Sequence, residues 1–136
     1  MAQEAFGVEI NRGPWGIDSR PALIGAKYAE SQGYGAAYHD QIFRTYWEHG
    51  QSIEEQDVLQ STAEVIGLDR DEFWSAVHDE AYETLVNNDI IQARMYGLSS
   101  VPSMVFDGKY LVAGAQPYDE LRRVVEQIQA RNGVTE

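Results

Sequence analysis

Apolar residues along the chain change their spacing twice, and the changes predict the order of elements. Apolar and polar residues alternate over Phe6–Ile10, which is typical of one short strand. Across residues 18–97 the apolar residues recur every three or four positions, which predicts helices. Two apolar runs, Met104–Phe106 and Tyr110–Ala113, then predict two strands. A last helical pattern begins at Pro117, a residue type favoured at the first turn of a helix.

The first two helices of the middle region have ordinary start and stop signals. Asp18 or Ser19 can cap the first helix, which runs to about Gln32. The second helix spans about residues 36–48 and stops before Gly50. Aromatic residues are concentrated in and around these helices and are expected to form the helical core: Tyr34, Tyr38, Phe43, Tyr46, Trp47, Phe73 and Trp74.

Two capping patterns predict where the third and fourth helices begin. Ser52 with Glu55 three residues later has the form of a capping box. Asp69 followed by Glu72 gives a second capping signal. The fourth helix is expected to run to about Tyr96, because no Gly or Pro interrupts it, although the paired asparagines in its second half are a candidate break.

The C-terminal pattern predicts a hairpin followed by an amphipathic helix. Asp107-Gly108 between two apolar runs is a strong short-range hairpin signal. After Pro117, apolar residues return at helical spacing on one face: Tyr118, Leu121, Val124, Val125 and Ile128. The C-terminus is therefore expected to be a proline loop, a strand, a turn, a second strand and a helix.

The segment GLSSVPSMVFDGKYLVAGAQP resembles the C-terminal half of a thioredoxin fold, in particular that of the DsbA family of thiol-disulfide oxidoreductases and its FrnE-like branch. The segment SRPALIGAKYAESQGYGAAYHDQIFRTYWEHGQSI resembles the family's helical insertion, so the resemblance covers about residues 6–131. It implies an α/β, partial thioredoxin-like fold of the DsbA type, with an early strand, a large all-helical insertion, and a C-terminal hairpin and helix. One domain would then span residues 1–136, with the insertion at 18–97 and the β-β-α portion at 98–131.

The same resemblance suggests a peptide-binding loop. In the family, a cis proline loop places the backbone of the preceding residue where an extended peptide can pair with it. The matching residues are Val101, Pro102 and Ser103, and the Val101–Pro102 bond is expected to be cis, a geometry almost confined to X-Pro bonds. The family's Cys-x-x-Cys motif has no counterpart, because the chain contains no Cys. The first strand and the Cys-bearing helix are expected upstream of Met1.

The tetrapeptide at residues 13–16, Gly-Pro-Trp-Gly, looks like the family's Cys-Pro-Trp-Cys with both cysteines replaced. Two features oppose that alignment. No strand candidate lies between Gly33 and Leu98, and the distance along the chain to Pro102 is short for the family. We therefore interpret the tetrapeptide as a loop that leaves the early strand, with Trp15 as a half-buried aromatic.

Composition and charge exclude several classes of partner. Hydrophobic residues make up 43% of the chain, which supports a folded protein. Ten basic and 22 acidic residues give a net charge of -12, which argues against nucleic acid and against anionic membrane surfaces. No apolar run is long enough to span a membrane, and the N-terminus lacks the features of a signal peptide, so the cytoplasm is the expected location.

The titratable residues suggest no catalytic or metal site. His39, His49 and His78 have neither the spacing of metal ligands nor that of a nucleophile and its base. Without Cys there is no thiolate for redox catalysis or metal binding. We therefore expect no catalytic residue, no metal and no cofactor in this chain.

Three functional hypotheses remain open at this point. The chain belongs to the DsbA-like oxidoreductases but is redox-inactive by itself, or it is a non-catalytic module that binds a peptide or assembles with a partner. The third is a fragment of an enzyme like 2-hydroxychromene-2-carboxylate isomerase. Because the central strand of the family's sheet is not in the chain, strands Phe6–Ile10 and Met104–Phe106 would each present an unpaired edge. We expect such edges to bring two chains together as a homodimer.

Overall fold

The computed structural model describes residue 7, residues 9–11 and residues 13–133. This part of the chain divides into two compact units, one ending at Asn88 and the other beginning at Asp89. Its elements in chain order are α1 (Arg20–Ser31), α2 (Gly35–Phe43), a π-helical turn π1 (Arg44–Glu48), α3 (Gln56–Val65), α4 (Arg70–Val77), α5 (Glu80–Met95), β1 (Ser103–Phe106), β2 (Tyr110–Ala113) and α6 (Tyr118–Arg131). In the part of the chain so described, no helix is both long enough and apolar enough to cross a membrane.

The first unit is a cluster of helices around one apolar core. Helix α1 packs against α2 and α4, and α3 packs against the same two helices. Three large side chains, Tyr38, Leu59 and Phe73, are less than 2% exposed. Smaller buried residues fill the space around them: Ala22, Ala26, Ala29, Ala63, Leu68, Ala76 and Val77. The alanines of α1 let the neighbouring helices approach closely enough for the aromatic rings to fill the centre.

Gly25 shows how tightly α1 packs on its neighbours. A Cβ atom at this position would lie 2.6 Å from Cζ of Phe73 and 2.8 Å from the hydroxyl oxygen of Tyr38. Neither distance is compatible with van der Waals contact. A glycine within α1 is therefore required by packing, although glycine lowers helix propensity.

The two capping signals have different outcomes. Asp69 caps α4, because its side chain accepts hydrogen bonds of 2.9 Å from the backbone N–H groups of Asp71 and Glu72, as predicted. The capping box predicted at Ser52 is wrong: α3 begins one turn later, at Gln56. Ser52 instead accepts, through its carbonyl oxygen, a 3.3 Å bond from the N–H of Glu55 within a turn.

The predicted fourth helix is in fact two helices, and the break lies elsewhere than at the paired asparagines. Helix α4 ends at Val77 and α5 begins at Glu80. Asp79 lies between them, and its side chain accepts a 2.8 Å hydrogen bond from the N–H of Ala81. An acidic residue that satisfies a free amide can start a new helix without any Gly or Pro.

The N-terminal segment differs from the prediction as far as it is described. Phe6 and Val8 of the predicted strand lie outside the described residues, and Ile10 is in no strand and is 51% exposed. Its neighbour Asn11 donates a 2.7 Å backbone hydrogen bond to the carbonyl oxygen of Trp47. The prediction that Trp15 is half-buried is wrong, because its side chain is 85% exposed.

The aromatic core was predicted only in part. Tyr38 and Phe73 are buried as expected, with ring centroids 5.8 Å apart. Phe43 and Trp47 are 59% and 44% exposed, so they are not core residues, and Tyr34 is exposed as well. Tyr28, absent from the predicted set, takes a core position with its ring edge-on to Phe73.

The second unit contains the predicted hairpin. Strands β1 and β2 are antiparallel, and Phe106 pairs with Tyr110 across a three-residue loop. Asp107 and Gly108 in that loop both have positive φ, 52° and 64°, a conformation that Asp and Gly tolerate better than most residues. Helix α6 follows, and the Arg131 guanidinium lies 5.9 Å from the centre of the Tyr110 ring.

Candidate functional site

The loop before β1 is held by two hydrogen bonds. The N–H of Gly114 donates to the carbonyl oxygen of Pro102 at 2.8 Å, which extends the β1–β2 ladder by one residue. The Ser103 hydroxyl donates to the carbonyl oxygen of Ser100 at 2.5 Å and closes the loop on itself. The peptide bond between Val101 and Pro102 is cis. The loop therefore has a defined shape although its residues are near the surface.

Val101 projects from this loop into solvent. Its side chain is 93% exposed, the highest value among the large apolar residues of the described chain. Within the described residues, no hydrogen bond engages its backbone N–H or carbonyl group. An apolar side chain with an unpaired backbone beside it offers a partner both a contact surface and hydrogen bonds.

The register of the hairpin decides which backbone groups of β1 remain available. Residues of an antiparallel pair alternate between hydrogen-bonded and non-hydrogen-bonded positions. Because Pro102 bonds to Gly114, and Met104 pairs with Val112, the groups of Pro102 and Met104 point toward β2. The N–H and carbonyl groups of Ser103 and Val105 consequently point toward the opposite edge of β1. Within the described residues β2 is the sole strand paired with β1, so the opposite edge has no described strand beside it and is called the open edge.

The open edge itself is uncharged. The residues of β1 are Ser, Met, Val and Phe, and all four are partly exposed. The nearest acidic group along the chain, Asp107, has its carboxylate 3.6 Å from Nζ of Lys109 and accepts a 3.2 Å bond from the Asn132 amide. An uncharged edge with partly exposed apolar side chains is suited to pairing with another strand.

The three residues predicted to bind a peptide are thus not equivalent. Ser103 has its backbone groups directed away from β2, Val101 has no backbone hydrogen bond within the described residues, and the Pro102 carbonyl is already bonded to Gly114. Val105 was missed by the sequence reasoning. The alternation of hydrogen-bonded and non-hydrogen-bonded positions along β1 identifies Val105. The sequence predicts that alternate residues face the same side of the strand, but only the pairing register shows which set faces outward.

The histidines do not form a site with one another. The Nε2 atom of His39 lies 3.5 Å from a carboxylate oxygen of Glu30, and His78 contacts the carbonyl oxygen of Trp74 at 2.9 Å. Among the residues that the structure describes, no group of three metal-ligating side chains is close enough to hold a metal ion. The Gly-Pro-Trp-Gly segment is structural: Gly13 lies against the ring of Tyr46, whose hydroxyl donates to the Pro14 carbonyl oxygen at 3.0 Å.

Comparison with known proteins agrees with this fold. The DSBA-like thioredoxin domain family matches residues 2–126, and the chain belongs to that family. An uncharacterized Bacillus subtilis (strain 168) protein, YwbO, is 26% identical over an alignment of 133 residues that covers 94% of this chain and 65% of YwbO. The chain therefore spans slightly less than two thirds of this relative.

A solved structure, that of a 2-hydroxychromene-2-carboxylate isomerase, superposes with a TM-score of 0.76 at 21% identity. The match covers 96% of this chain and 64% of that one, and it shows a shared fold. The predicted family and the partial thioredoxin-like fold of the DsbA type are confirmed. The FrnE-like branch and the roles of Val101, Pro102 and Ser103 stay predictions.

Proposed function

We propose that this chain binds an extended polypeptide along the open edge of β1 and carries out no thiol-disulfide chemistry by itself. The observation that carries the proposal is the outward direction of the Ser103 and Val105 backbone groups, next to the exposed Val101. A strand added to this edge would form main-chain hydrogen bonds, and its side chains would contact Val101 and β1. Membership of the DSBA-like family supports the proposal, and the absence of Cys removes the thiolate that redox chemistry needs.

The energies involved favour a weak and sequence-tolerant interaction. Each new backbone hydrogen bond contributes about 0.5–1.5 kcal/mol, and Ser103 and Val105 each provide two outward backbone groups. The net charge of -12 attracts peptides that contain Lys or Arg. We therefore expect an extended, basic peptide with alternating apolar side chains to bind best.

The test uses the acetylated and amidated pentapeptide KVKVK and amide NMR of the full chain. We expect saturable shifts at the amides of Val101, Ser103 and Val105. The same peptide with N-methylated valines lacks the donors that pair with the edge, so it should bind at least about tenfold more weakly. Equal binding of the two peptides would contradict pairing through the backbone.

Matched variants separate the backbone from the side chain at the same position. Val105→Pro removes the outward N–H, and proline is tolerated on an edge strand where that N–H is not needed for the ladder. Val105→Ala keeps the N–H and removes only methyl groups. We expect peptide binding to be lost in the first variant and retained in the second, with the β1–β2 cross-strand contacts unchanged in both.

The redox part of the proposal is tested independently. The chain should not accelerate dithiol-dependent reduction of insulin above a buffer control, because it has no sulfur nucleophile. A measurable rate from the pure chain would overturn this part while leaving the peptide-binding part standing.

The isomerase hypothesis is a second candidate, and the shared fold with the 2-hydroxychromene-2-carboxylate isomerase favours it. The assay measures whether the chain isomerises 2-hydroxychromene-2-carboxylate, and the reaction is followed by absorbance. Val105→Pro is expected to abolish peptide binding. Isomerase turnover that persists in this variant would therefore favour the isomerase hypothesis over peptide binding.

A further inference from the structure

We infer that the helical unit ending at Asn88 contains a separate binding site, a cavity between α1, α2 and π1 that takes the ring of a small neutral aromatic molecule. The cavity has a volume of about 170 Å³. Ala22 and Ala26 of α1 and Tyr38 of α2 form its floor, and all three are buried. Its mouth is formed by the exposed side chains of Leu23, Phe43 and Trp47.

The lining is mainly apolar: Ser19 and His39 also border the cavity, but the hydroxyl groups of its two tyrosines are engaged elsewhere. The Tyr38 hydroxyl donates to the Ala22 carbonyl oxygen at 3.1 Å inside the core. The Tyr46 hydroxyl donates to the Pro14 carbonyl oxygen at 3.0 Å. Both tyrosines therefore present only ring atoms to the cavity, where water would find few hydrogen-bond partners.

The walls are held in place without a ligand. The rings of Tyr46 and Trp47 are 4.8 Å apart and nearly perpendicular, and the backbone of Trp47 is bonded to Asn11. A Cβ at Gly13 would lie 2.7 Å from the Tyr46 ring, which shows how closely Gly13 packs on this ring. A cavity with fixed walls does not collapse when it is empty, so a ligand need not pay for ordering it.

The size of the cavity indicates its occupant. An engineered apolar cavity of roughly 150 Å³ in another protein stays dry and binds benzene. The present cavity is slightly larger and is bordered by four aromatic rings, Tyr38, Phe43, Tyr46 and Trp47, which can contact a bound ring edge-on or face-on. The chain's net charge of -12 disfavours anionic compounds. A single neutral aromatic ring fits all three properties.

The mouth favours a free molecule over the side chain of a protein partner. The backbone of a protein partner would contact the side chains of Leu23, Phe43 and Trp47. These side chains carry no hydrogen-bond acceptor for its amide groups. Burial of unpaired amides is unfavourable, whereas a free aromatic ring has no such groups.

Fluorobenzene is the probe, and its binding to the full chain is followed by fluorine NMR. We expect a saturable change in the fluorine signal. Ala26→Leu fills the cavity and Phe43→Ala removes one wall, so each should weaken binding at least about tenfold. Ala37→Leu is the matched control, because it introduces the same Ala-to-Leu change at an exposed position of α2 outside the cavity. It should leave the affinity within about twofold of that of the natural chain.

Several outcomes would overturn the inference: no saturable binding to the natural chain, or unchanged binding in Phe43→Ala. Because Phe43 is 59% exposed, that variant decides the question even where Ala26→Leu does not fold. Displacement of fluorobenzene by KVKVK would also count against a separate site. A Phe-containing peptide, KVFVK, that binds this cavity more tightly than fluorobenzene would show that the site serves a protein partner.

Discussion

The hydroxyl of Tyr38 donates a 3.1 Å hydrogen bond to the carbonyl oxygen of Ala22 and so ties α2 to α1 inside the core. Burial raises the pKa of Tyr38 above the ordinary tyrosine value of 10.0, because a buried phenolate loses its hydration. Tyr28 also has a raised pKa, caused by burial first and then by the nearby Glu72 carboxylate.

Alkaline pH should therefore destabilise the protein in part through Tyr38. Above pH 10 the unfolded chain releases the phenol proton while the folded chain keeps it, so stability present below pH 10 is lost as pH rises. For one such group the free energy of unfolding falls by about 1.4 kcal/mol per pH unit.

Urea unfolding of the natural chain and of Tyr38→Phe, measured at several values from neutral to alkaline pH, tests this. The variant should lose about 1 kcal/mol at neutral pH and show a shallower alkaline decline. Parallel pH curves would contradict the assignment.

Gly25→Ala should destabilise the protein although alanine is the better helix former. The new methyl group would lie 2.6 Å from Phe73 and 2.8 Å from the Tyr38 hydroxyl, so one of the rings must move. We expect a loss of about 1–3 kcal/mol in the free energy of unfolding, against a propensity gain of about 1 kcal/mol.

Gly35→Ala is the matched control for Gly25→Ala. Its Cβ would lie 2.8 Å from Cγ of Glu30, a flexible side chain that can rotate away. We expect this variant to change stability by less than about 1 kcal/mol. If both variants were equally destabilised, close packing at Gly25 would not be the cause.

Loss of the Asp69 side chain should shorten or fray α4. Asp69→Ala removes the acceptor of two backbone hydrogen bonds at the start of the helix, with an expected cost of about 1 kcal/mol. Asp69→Asn retains an oxygen acceptor and should be nearly neutral. Thermal unfolding followed by circular dichroism measures both, and a neutral Asp69→Ala variant would show that the cap contributes nothing.

The open edge of β1 also leads us to propose a homodimer. Two copies of β1 paired antiparallel would join two hairpins into a four-stranded sheet and cover both edges. Sedimentation at micromolar concentration should then give twice the 15.3 kDa mass of the chain. Val105→Pro should yield the monomer, and KVKVK should compete with the dimer. A natural chain that sediments at 15.3 kDa would exclude it.

Local chemistry explains what could be predicted from the sequence alone. Asp107-Gly108 specifies a turn through its own backbone preferences, so the hairpin was located within one residue of its observed bounds. Asp69 caps a helix two and three residues away, and helix spacing over residues 36–48 closely matches the observed α2 and π1. The family followed from the same C-terminal segment, and the missing Cys residues are a property of composition.

Tertiary packing decided what the sequence left open, because it selects between local alternatives of similar energy. Apolar spacing marks Phe43, Trp47 and Tyr38 as equal candidates for the core, but only Tyr38 faces Phe73 and the gap left by Gly25. Nothing in the local sequence distinguishes Asp79 from other acidic residues. Only the turn between α4 and α5 leaves the N–H of Ala81 free to donate a hydrogen bond to its side chain. The outward edge of β1 was likewise fixed by the bond from Gly114 to Pro102, because a shift of one residue in a strand exchanges its two sides.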